Sequence, residues 1–365
     1  MTVEQCWQPV PGGSGTYIEE LVAQLSRPSG ARLTGLAARG HAVPVRGLAP
    51  SLPIKTSALP RAALYESWVR WRRPRAERAG AFDVVHATTW AVPGTRLPLV
   101  VTVHDLAFLR ESSHFTPRGN RWFRRALQIV RDEATRVVVP SVATRDDCVA
   151  QGVEQSRVDV IPHGVRPLEV TADETDAWRA EVGLEGPYVL WVGTLEPRKN
   201  VTRLVEAFAA ARHGGLSEHT LVLVGPPGWE GEAARVEAAV RSLPPGAVRV
   251  LGRLAPRALH AAYAGAAVFA YPSLWEGFGL PVLEAMAHGT PVVTSRGTSM
   301  AEVGGEAVEL ADPSNVADLA GALVRAAEWT PARREQARAR AATFTWEASA
   351  RQHLETYRRA VAEGC

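Results

Sequence analysis

The stretch "WEGFGLPVLEAMAHGTPVV", residues 275–293, decides the fold because it joins one predicted strand to a helix and then to a second strand. Before it, "AAVFAYPS" (266–273) is a short apolar run that predicts a strand. Pro281 suits the first turn of a helix, Gly289 suits the position after its end, and "TPVVTS" (290–295) predicts the next strand. This unit is typical of an open parallel α/β sheet, where ligands bind beyond the carboxyl ends of the strands.

Two glutamates flank the glycine-rich turn in this stretch, Glu276 in the loop and Glu284 on the helix. A carboxylate near a helix N-terminus is favoured by the helix dipole, and "GFG" is typical of a tight turn, so a purely structural interpretation is available. The loop also places backbone N–H groups beside a helix N-terminus, where anions bind. A ligand with both phosphates and sugar hydroxyls would use the N–H groups and the carboxylates together.

Length and composition indicate an ordinary α/β protein of two domains. The chain has 365 residues, of which 46% are hydrophobic and 22% charged, and this length exceeds what one core usually supports. No apolar run approaches the ~18 residues of a membrane span, and the N-terminus has no signal-peptide pattern. Cys6, Cys148 and Cys365 have neither metal nor disulfide spacing, so a reducing cytoplasm is the simplest compartment.

Basic residues concentrate in the first part of the chain. Residues 1–165 contain 21 Lys+Arg and 14 Asp+Glu, a difference of +7, and residues 166–365 contain 20 and 24, a difference of −4. The excess lies in "WVRWRRPRAER" (68–78) and "RGNRWFRRALQ" (118–128). These stretches are compatible with an anionic membrane surface, with an acidic acceptor, or with a solvated arginine-rich face. No nucleic-acid-binding motif accompanies them, so we expect no nucleic acid partner.

Strand and helix patterns alternate along the chain, which predicts parallel sheets covered on both faces. The acidic segment 163–178 interrupts the alternation and is predicted to be the domain linker. A helix is predicted over 344–364. The predicted strands are 2–7, 82–89, 97–106, 136–141, 158–165, 188–194, 220–225 and 248–252; the predicted helices are 11–25, 201–211, 232–243 and 257–266.

Glutamates eight residues apart in "EGFGLPVLEAMAHGTPVV" resemble the E-x7-E signature of retaining glycosyltransferases of family 4, the glycosyltransferase group 1 family. Comparable family segments match "WVGTLEPRKN" (191–200), "VLGRL" (250–254), "IPHGV" (161–165) and "PGGSGTYIEEL" (11–21). The resemblance implies the GT-B fold, an α/β architecture of two Rossmann-like domains with parallel sheets facing across a cleft. It implies an acceptor-side domain over 1–166, a nucleotide-sugar-binding domain over 167–343, and a C-terminal helix over 344–365 that packs back on the first domain.

The dipeptide Arg198–Lys199 follows a predicted strand and precedes a helix for which Asn200 is the expected N-cap. Arginine binds phosphate in a bidentate way and lysine acts as a point charge, so both suit a departing diphosphate. The family often has a further arginine where this chain has Thr194, so Arg198 and Thr194 are alternatives for the second phosphate contact.

The resemblance assigns roles to the remaining residues of the C-terminal domain. Glu276 is expected near the donor sugar hydroxyls and Glu284 at the nucleotide ribose. Gly252 and Arg253 are expected to border the base. The backbone N–H groups expected to face the sugar and phosphates belong to Gly277, Phe278, Gly279 and Leu280.

In the N-terminal domain, Gly12, Gly13 and Gly15 open a predicted helix and are expected to admit the diphosphate or the acceptor. His104 and Asp105 end a predicted strand. A histidine at a strand end is often structural, but the family frequently has one here that contacts the donor sugar. Catalytic roles are therefore expected for both residues.

The implied reaction transfers a hexose-type sugar from a nucleoside-diphosphate sugar to a hydroxyl, with retention at the anomeric carbon. Asp105 is the one local candidate for a covalent nucleophile, and a front-face substitution is preferred. No Asp-x-Asp cluster is present to bridge a metal, so we expect neither metal nor cofactor. The alternatives are a GT-B-like nucleotide-sugar epimerase or hydrolase, an NAD(P)-linked oxidoreductase, which "GGSG" fits poorly, and a non-catalytic sugar-nucleotide protein.

The expected partners are a nucleoside-diphosphate-sugar donor and a glycan, small-metabolite or lipid-linked acceptor. The expected location is the cytoplasm, with peripheral membrane contact through the basic N-terminal domain as a further hypothesis.

Overall fold

The chain is organised around two parallel sheets, one in each of two compact units. The computed structural model describes residues 1–27, 31–40, 52–110, 116–228 and 230–364. Unit 1 comprises Met1–Gly164 and Thr345–Cys365, and unit 2 comprises Val165–Phe344. None of the helices within the described ranges combines the length and the apolarity that a membrane span requires.

The strands of unit 1 form a four-stranded parallel sheet in the order β3-β4-β5-β6 and a parallel pair β1–β2. Near-continuous runs of Val and Leu form the central strands, because both faces of a parallel sheet are buried under helices. The strands are β1 (Gly35–Ala37), β2 (Ile54–Thr56), β3 (Val85–Ala87), β4 (Leu99–Thr102), β5 (Arg136–Val139) and β6 (Val158–Val160). The helices are α1 (Gly12–Leu25), α2 (Arg61–Trp71), α3 (Ala107–Arg110), α4 (Pro117–Glu133) and α5 (Val142–Ala150).

The predicted strand over residues 2–7 is wrong. Thr2 makes a single parallel bridge to Leu36, and its N–H donates to the carbonyl of His86 at 2.9 Å. Glu4–Trp7 then forms a 3-10 helix. The chain leaves the sheet here because the buried Glu4 carboxylate itself accepts the N–H of Ala38 at 2.7 Å, a bond that a strand carbonyl would otherwise make.

Unit 2 contains a six-stranded parallel sheet in the order β12-β11-β10-β7-β8-β9. Its strands are β7 (Tyr188–Val192), β8 (Thr220–Val224), β9 (Val248–Gly252), β10 (Val268–Tyr271), β11 (Val292–Ser295) and β12 (Glu309–Ala311). Its helices are α6 (Ala172–Glu181), α7 (Val201–His213), α8 (Glu230–Val240), α9 (Pro256–Gly265), α10 (Leu280–Ala287), α11 (Ser299–Gly304), α12 (Val316–Ala327) and α13 (Pro331–Ala342). The predicted parallel α/β architecture is confirmed.

The predicted linker over 163–178 is wrong in its second half, because α6 begins at Ala172. Thr171 and Glu174 form a capping box at its N-terminus, and Trp178 is buried against Tyr188 with ring centroids 5.7 Å apart. This S/T-x-x-E pattern was a visible helix-start signal that the acidic composition obscured. The units divide between Gly164 and Val165.

Helix α14 (Trp346–Glu363) belongs to unit 1 and is held by a buried hydrogen-bond chain. Tyr17 lies 2.9 Å from Thr102 and 2.8 Å from Nε2 of His353. His86 lies 2.8 Å from Thr102 through Nε2 and 2.7 Å from the Tyr357 hydroxyl through Nδ1. The chain therefore joins α1, the sheet and the C-terminal helix.

With both histidines neutral, one set of proton positions satisfies every bond in this chain. Nδ1 of His353 faces the carbonyl of Ser349 at 2.8 Å and must donate to it, so Nε2 accepts from Tyr17. Tyr17 then accepts from Thr102, Thr102 accepts from His86 Nε2–H, and His86 Nδ1 accepts from Tyr357. Both histidines are neutral in this arrangement. Burial lowers the pKa of His353 to about 4, against smaller upward effects of the Ser349 carbonyl and Asp159.

The free energy of unfolding of unit 1 should therefore fall on acidification already between pH 7 and pH 5, above the pH range in which carboxylates titrate. The unfolded chain binds protons on His353 near pH 6.5 and the folded chain only near pH 4, so stability falls as pH decreases through this window. His353 alone contributes a loss of about 2 kcal/mol between pH 7 and pH 5. Calorimetric unfolding at both pH values measures this loss. His353→Gln should reduce the pH dependence, and His213→Gln, on an exposed residue of unit 2, should leave it unchanged; equal pH dependence in all three proteins would contradict the assignment.

Candidate active site

The carboxyl ends of β7 and β10 form the crevice of unit 2. These strands pair directly, with Val268 opposite Val189 and Phe269 opposite Leu190. Strands β8 and β9 continue the sheet on one side and β11 and β12 on the other, so the strand order reverses between β7 and β10. Such a reversal opens a ligand crevice between the loops that follow the two strands.

The loop after β7 is fastened to the loop after β10 by backbone and side-chain bonds. The N–H of Leu274 donates to the carbonyl of Arg198 at 2.8 Å. Asn200 has a left-handed backbone, and its Nδ2 donates to the carbonyls of Pro272 and Pro313 at 3.1 and 2.7 Å. Asn200 is the N-cap residue of α7, as predicted, but its side chain makes no capping bond, because its amide bonds to the neighbouring loops.

Five side chains at this crevice form one charged cluster. Lys199 pairs with Oε1 of Glu276 and donates to the Tyr271 hydroxyl at 2.5 Å. Arg198 places Nη1 2.8 Å from Oε2 of Glu276 and donates through Nε to Glu196 at 2.9 Å. The Tyr271 hydroxyl donates to Oε1 of Glu276 at 3.2 Å. The structure thus brings together the predicted residues Arg198, Lys199 and Glu276.

Burial and the opposite charge nearby shift the pKa values of Glu276 and Lys199 in opposite directions. Burial of Glu276 alone would raise its pKa, but the positive charges of Arg198 and Lys199 outweigh burial and lower the pKa to about 2. Burial and the charge of Arg198 lower the pKa of Lys199, while Glu276 opposes this shift. Glu276 is therefore ionised at neutral pH and holds the two cations side by side.

The cluster retains capacity for a ligand. The Lys199 ammonium has three N–H donors, of which Tyr271 and Glu276 take two. The Glu276 carboxylate has about four acceptor positions, and the contacts with Lys199, Tyr271 and Arg198 take three. One donor for a phosphate oxygen and one acceptor for a hydroxyl are left at the same place.

The glycine-rich turn between Glu276 and α10 is buried and sterically restricted. Gly277 and Phe278 are buried, and the hydroxyl of Ser299 donates to the carbonyl of Glu276 at 2.6 Å. Gly279 has φ +100°, and a Cβ there would lie 2.7 Å from Cγ of Met300. Only glycine fits this position. Helix α10 starts at Leu280; Pro281 has no N–H, and the N–H groups of Val282 and Leu283 donate to the carbonyl of Gly279 at 2.9 and 3.3 Å.

Glu284 belongs to a second group on the same helix. It is the fifth residue of α10, beyond the first turn in which the helix dipole favours a carboxylate. Its Oε2 accepts the hydroxyl of the buried Tyr263 at 2.9 Å. Tyr263 lies on α9, so this bond fixes the carboxylate between α9 and α10.

Thr194, Gly252 and Arg253 lie beyond the carboxyl ends of β7 and β9. Thr194 follows β7 by two residues, Gly252 ends β9, and Arg253 is exposed. The loop after β8 approaches closely: a Cβ on Gly225 would lie 1.7 Å from the carbonyl oxygen of Gly193. These residues share one edge of the sheet with the charged cluster.

The predicted residues of unit 1 have different surroundings. Gly12, with φ +61°, begins α1, and Gly13 and Gly15 lie in its first turn. His104 follows β4, and its Nε2 must donate to the carbonyl of Thr88 at 2.9 Å. Burial lowers the pKa of His104, so the ring is neutral and carries its lone pair on Nδ1. Asp105 accepts the N–H of Ala107 at 3.0 Å and stabilises the start of α3.

Two family models match this chain. The model described as "Glycosyltransferase Family 4" matches residues 11–167, and the model described as "Glycosyl transferases group 1" matches residues 186–328. A D-inositol 3-phosphate glycosyltransferase of Rhodococcus opacus is 32% identical over 316 residues, which are 79% of this chain and 70% of the relative. O-antigen chain mannosyltransferase B of Escherichia coli is 29% identical over 291 residues, 75% and 74% of the two chains.

The chain belongs to glycosyltransferase family 4. Solved structures agree on the fold: Anabaena HepE, crystallised with UDP and glucose, superposes with TM-score 0.75 at 20% identity over 98% of both chains. Sucrose-phosphate synthase of Thermosynechococcus elongatus gives 0.75 at 23% identity, covering 96% of this chain and 94% of the other. The protein is thus a glycosyltransferase with the GT-B fold.

Three residues of the glycosyltransferase site were missed from the sequence. Tyr271 and Tyr263 hold Glu276 and Glu284, and Glu196 holds Arg198. Tyr271 could have been found, since an aromatic residue at the end of a buried strand lies at the ligand edge of the sheet. Tyr263 carried no local signal. No group of three or more potential metal-ligating side chains occurs in the described part of the chain.

Removing Lys199 should leave the buried Glu276 with one cation fewer. We expect Lys199→Met to destabilise unit 2 by about 2 kcal/mol, because Arg198 still pairs with the carboxylate. Glu276→Gln in the same chain should recover most of this loss by removing the charge. Chemical denaturation measures both effects, and Lys55→Met, at the other lysine of the sequence, is the exposed control. Unchanged stability of Lys199→Met would contradict the pairing.

Proposed function

We propose that this glycosyltransferase moves a hexose-type sugar from a nucleoside-diphosphate sugar to a hydroxyl acceptor, with retention of anomeric configuration and without a metal ion. The observation that carries the proposal is the pair Arg198–Lys199, held side by side by Glu276 at the switch point of the sheet. A diphosphate that leaves the anomeric carbon gains negative charge, and fixed cations stabilise that charge. In this role the pair replaces a bound metal.

The glutamates are proposed to bind the two ends of the donor. Glu276 retains an acceptor position for a sugar hydroxyl, and Glu284, fixed by Tyr263, accepts the ribose hydroxyls. The N–H groups of the 277–280 turn contact the sugar and phosphates, and Gly252 and Arg253 border the base. Thr194 and the glycines of α1 contribute further polar contacts to the diphosphate.

The proposed reaction is a front-face substitution. The bond between the anomeric carbon and the phosphate oxygen breaks, the acceptor oxygen bonds on the same face, and the acceptor proton passes to the departing phosphate oxygen. His104 supports this step by contact with the donor sugar. Asp105 takes no covalent part, since its carboxylate accepts the N–H of Ala107. Trapping of a glycosylated aspartate or glutamate would overturn this mechanism.

The acceptor is a glycan, a small metabolite or a lipid-linked sugar, and the proposed location is the cytoplasm, where the buried thiols of Cys6 and Cys148 remain reduced. Peripheral membrane contact is proposed through α4, which exposes Arg121 and Arg124, and through Trp71, which is 67% exposed. Cosedimentation with phosphatidylglycerol vesicles measures this contact, which Arg121→Gln/Arg124→Gln should weaken.

Nucleotide binding tests the donor site directly. Isothermal titration with UDP, GDP, ADP and TDP, in the presence of EDTA, should show selective binding of one of them. We expect Lys199→Ala to weaken that binding at least about tenfold, because it removes a charge-assisted bond to phosphate. Arg351→Ala, which removes an exposed charge of α14 outside the donor site, is the matched control. Failure of all four nucleotides to bind would refute the proposed donor site.

Product analysis separates the transferase from a GT-B-like epimerase or hydrolase. With the selected nucleotide sugar and a panel of hydroxyl acceptors, we expect a glycoside whose anomeric configuration matches the donor, formed at an undiminished rate in EDTA. Lys199→Ala should reduce the rate by about 10²-fold or more. Conversion of the donor to an epimer or a free sugar at the same rate without acceptor would favour the alternative, and an inverted product would exclude the front-face mechanism.

A further inference from the structure

A cavity of 730 Å³ lies in unit 1 between the β1–β2 pair, the end of α2 and the 3-10 helix Ala76–Ala79. Its volume is in the range of small-molecule sites. Four cations and three hydroxyl side chains line it, and the described lining contains no carboxylate. These polar residues, which we call the basic cavity, are Lys55, Arg73, Arg75, Arg78, Thr56, Ser57 and Ser67.

The cations of the basic cavity form no ion pair with the part of the chain that the structure describes. Among the described residues no carboxylate oxygen lies within 4.0 Å of any of them, whereas other arginines of the same unit are paired. Arg72 lies 2.7 Å from Glu133, and Arg110 lies 2.6 Å from Asp147. The basic cavity therefore concentrates positive charge that no side chain within the described ranges pairs with.

Loss of hydration and neighbouring positive charge both lower the pKa of Arg75. Loss of hydration is the larger cause, the charges are those of Arg73 and Arg96, and Glu77 opposes the shift. Glu77 lies outside the lining, and its carboxylate accepts the N–H of Arg96 at 2.6 Å. An anion between the cations would offset their positive charge.

The wall that carries the arginines is fixed by buried groups. Ser67 donates its hydroxyl to the carbonyl of Arg73 at 2.5 Å, and Trp68 donates Nε1–H to the carbonyl of Pro74 at 3.0 Å. Both donors lie on α2 and are buried. The turn between α2 and the 3-10 helix is thus held before any ligand arrives, which limits the entropic cost of binding.

We propose that the basic cavity binds a phosphate-bearing ligand, with Lys55, Arg75 and Arg78 at the phosphate oxygens. The ligand carries at least two negative charges, as a diphosphate or a phosphomonoester does, and its source is a soluble phosphorylated molecule or a lipid headgroup. This site shares no residue with the donor-diphosphate site of unit 2. The basic cavity would therefore bind its anion independently of the donor.

Binding of inorganic pyrophosphate to the full chain tests the proposal. The titration uses a Lys199→Met/Glu276→Gln background at low ionic strength, so that the donor site contributes little. Lys55→Gln/Arg78→Gln should weaken binding about tenfold, as expected for two partly exposed charge contacts. Arg73→Gln/Arg75→Gln should do the same. Arg351→Gln/Arg358→Gln is the matched control, since it removes two exposed charges of the same unit from α14.

A second arm identifies the source of the phosphate. The same variants are cosedimented with vesicles of phosphatidylcholine and phosphatidic acid, because the phosphatidic acid headgroup is a phosphomonoester. If the cavity variants bind pyrophosphate more weakly than the control does and bind vesicles as the control does, the ligand is a soluble molecule. If the cavity variants also bind vesicles more weakly than the control does, the ligand is a lipid headgroup. If the cavity variants match the control in both arms, the proposal is overturned, while nucleotide binding by the unmodified donor site stays measurable.

Discussion

The pairing of Glu276 with Lys199 and Arg198 is the constraint on which the proposed chemistry depends. A buried carboxylate without cations would be neutralised, and the buried Lys199 and half-buried Arg198 without a carboxylate would repel each other. The three charges are therefore stable only when both loops that carry them are in place. The bond from Leu274 to the Arg198 carbonyl and the contact of Asn200 with Pro272 hold those loops together.

The pairing of strands in the sheet of unit 2 fixes the positions of the loops that carry these charges. Lys199 and Glu276 are 77 residues apart in sequence and meet because β7 and β10 are neighbours in a parallel sheet. That neighbourhood is set by apolar burial, since the side chains of Leu190 and Phe269 are fully buried in paired strands. Burial of aliphatic and aromatic side chains is non-directional, but strand register converts it into fixed positions for the charged loops.

What could be predicted from the sequence was local. Pro281 and Gly289 mark the ends of α10 through backbone geometry that any chain obeys, so this helix and the crevice beside it were predictable. The 3-10 helix at Glu4–Trp7 was not, because it depends on a bond from Ala38, which is 34 residues away. Tyr263 was missed for the same reason: its contact with Glu284 joins two helices and leaves no trace in spacing.

Composition alone could not distinguish the arginines of unit 1 that form ion pairs from those that do not. Their excess over acidic residues indicated a basic surface, but pairing separates them into two classes. Arg136 is buried beside Asp159, 23 residues away, at 2.5 Å, and this pair joins β5 to β6. The side chains of Arg73 and Arg75 have no carboxylate partner among the described residues. Paired arginines are explained by the fold that they stabilise. Unpaired ones that line one cavity have no such partner among the described residues, and the proposed phosphate-bearing ligand would supply it.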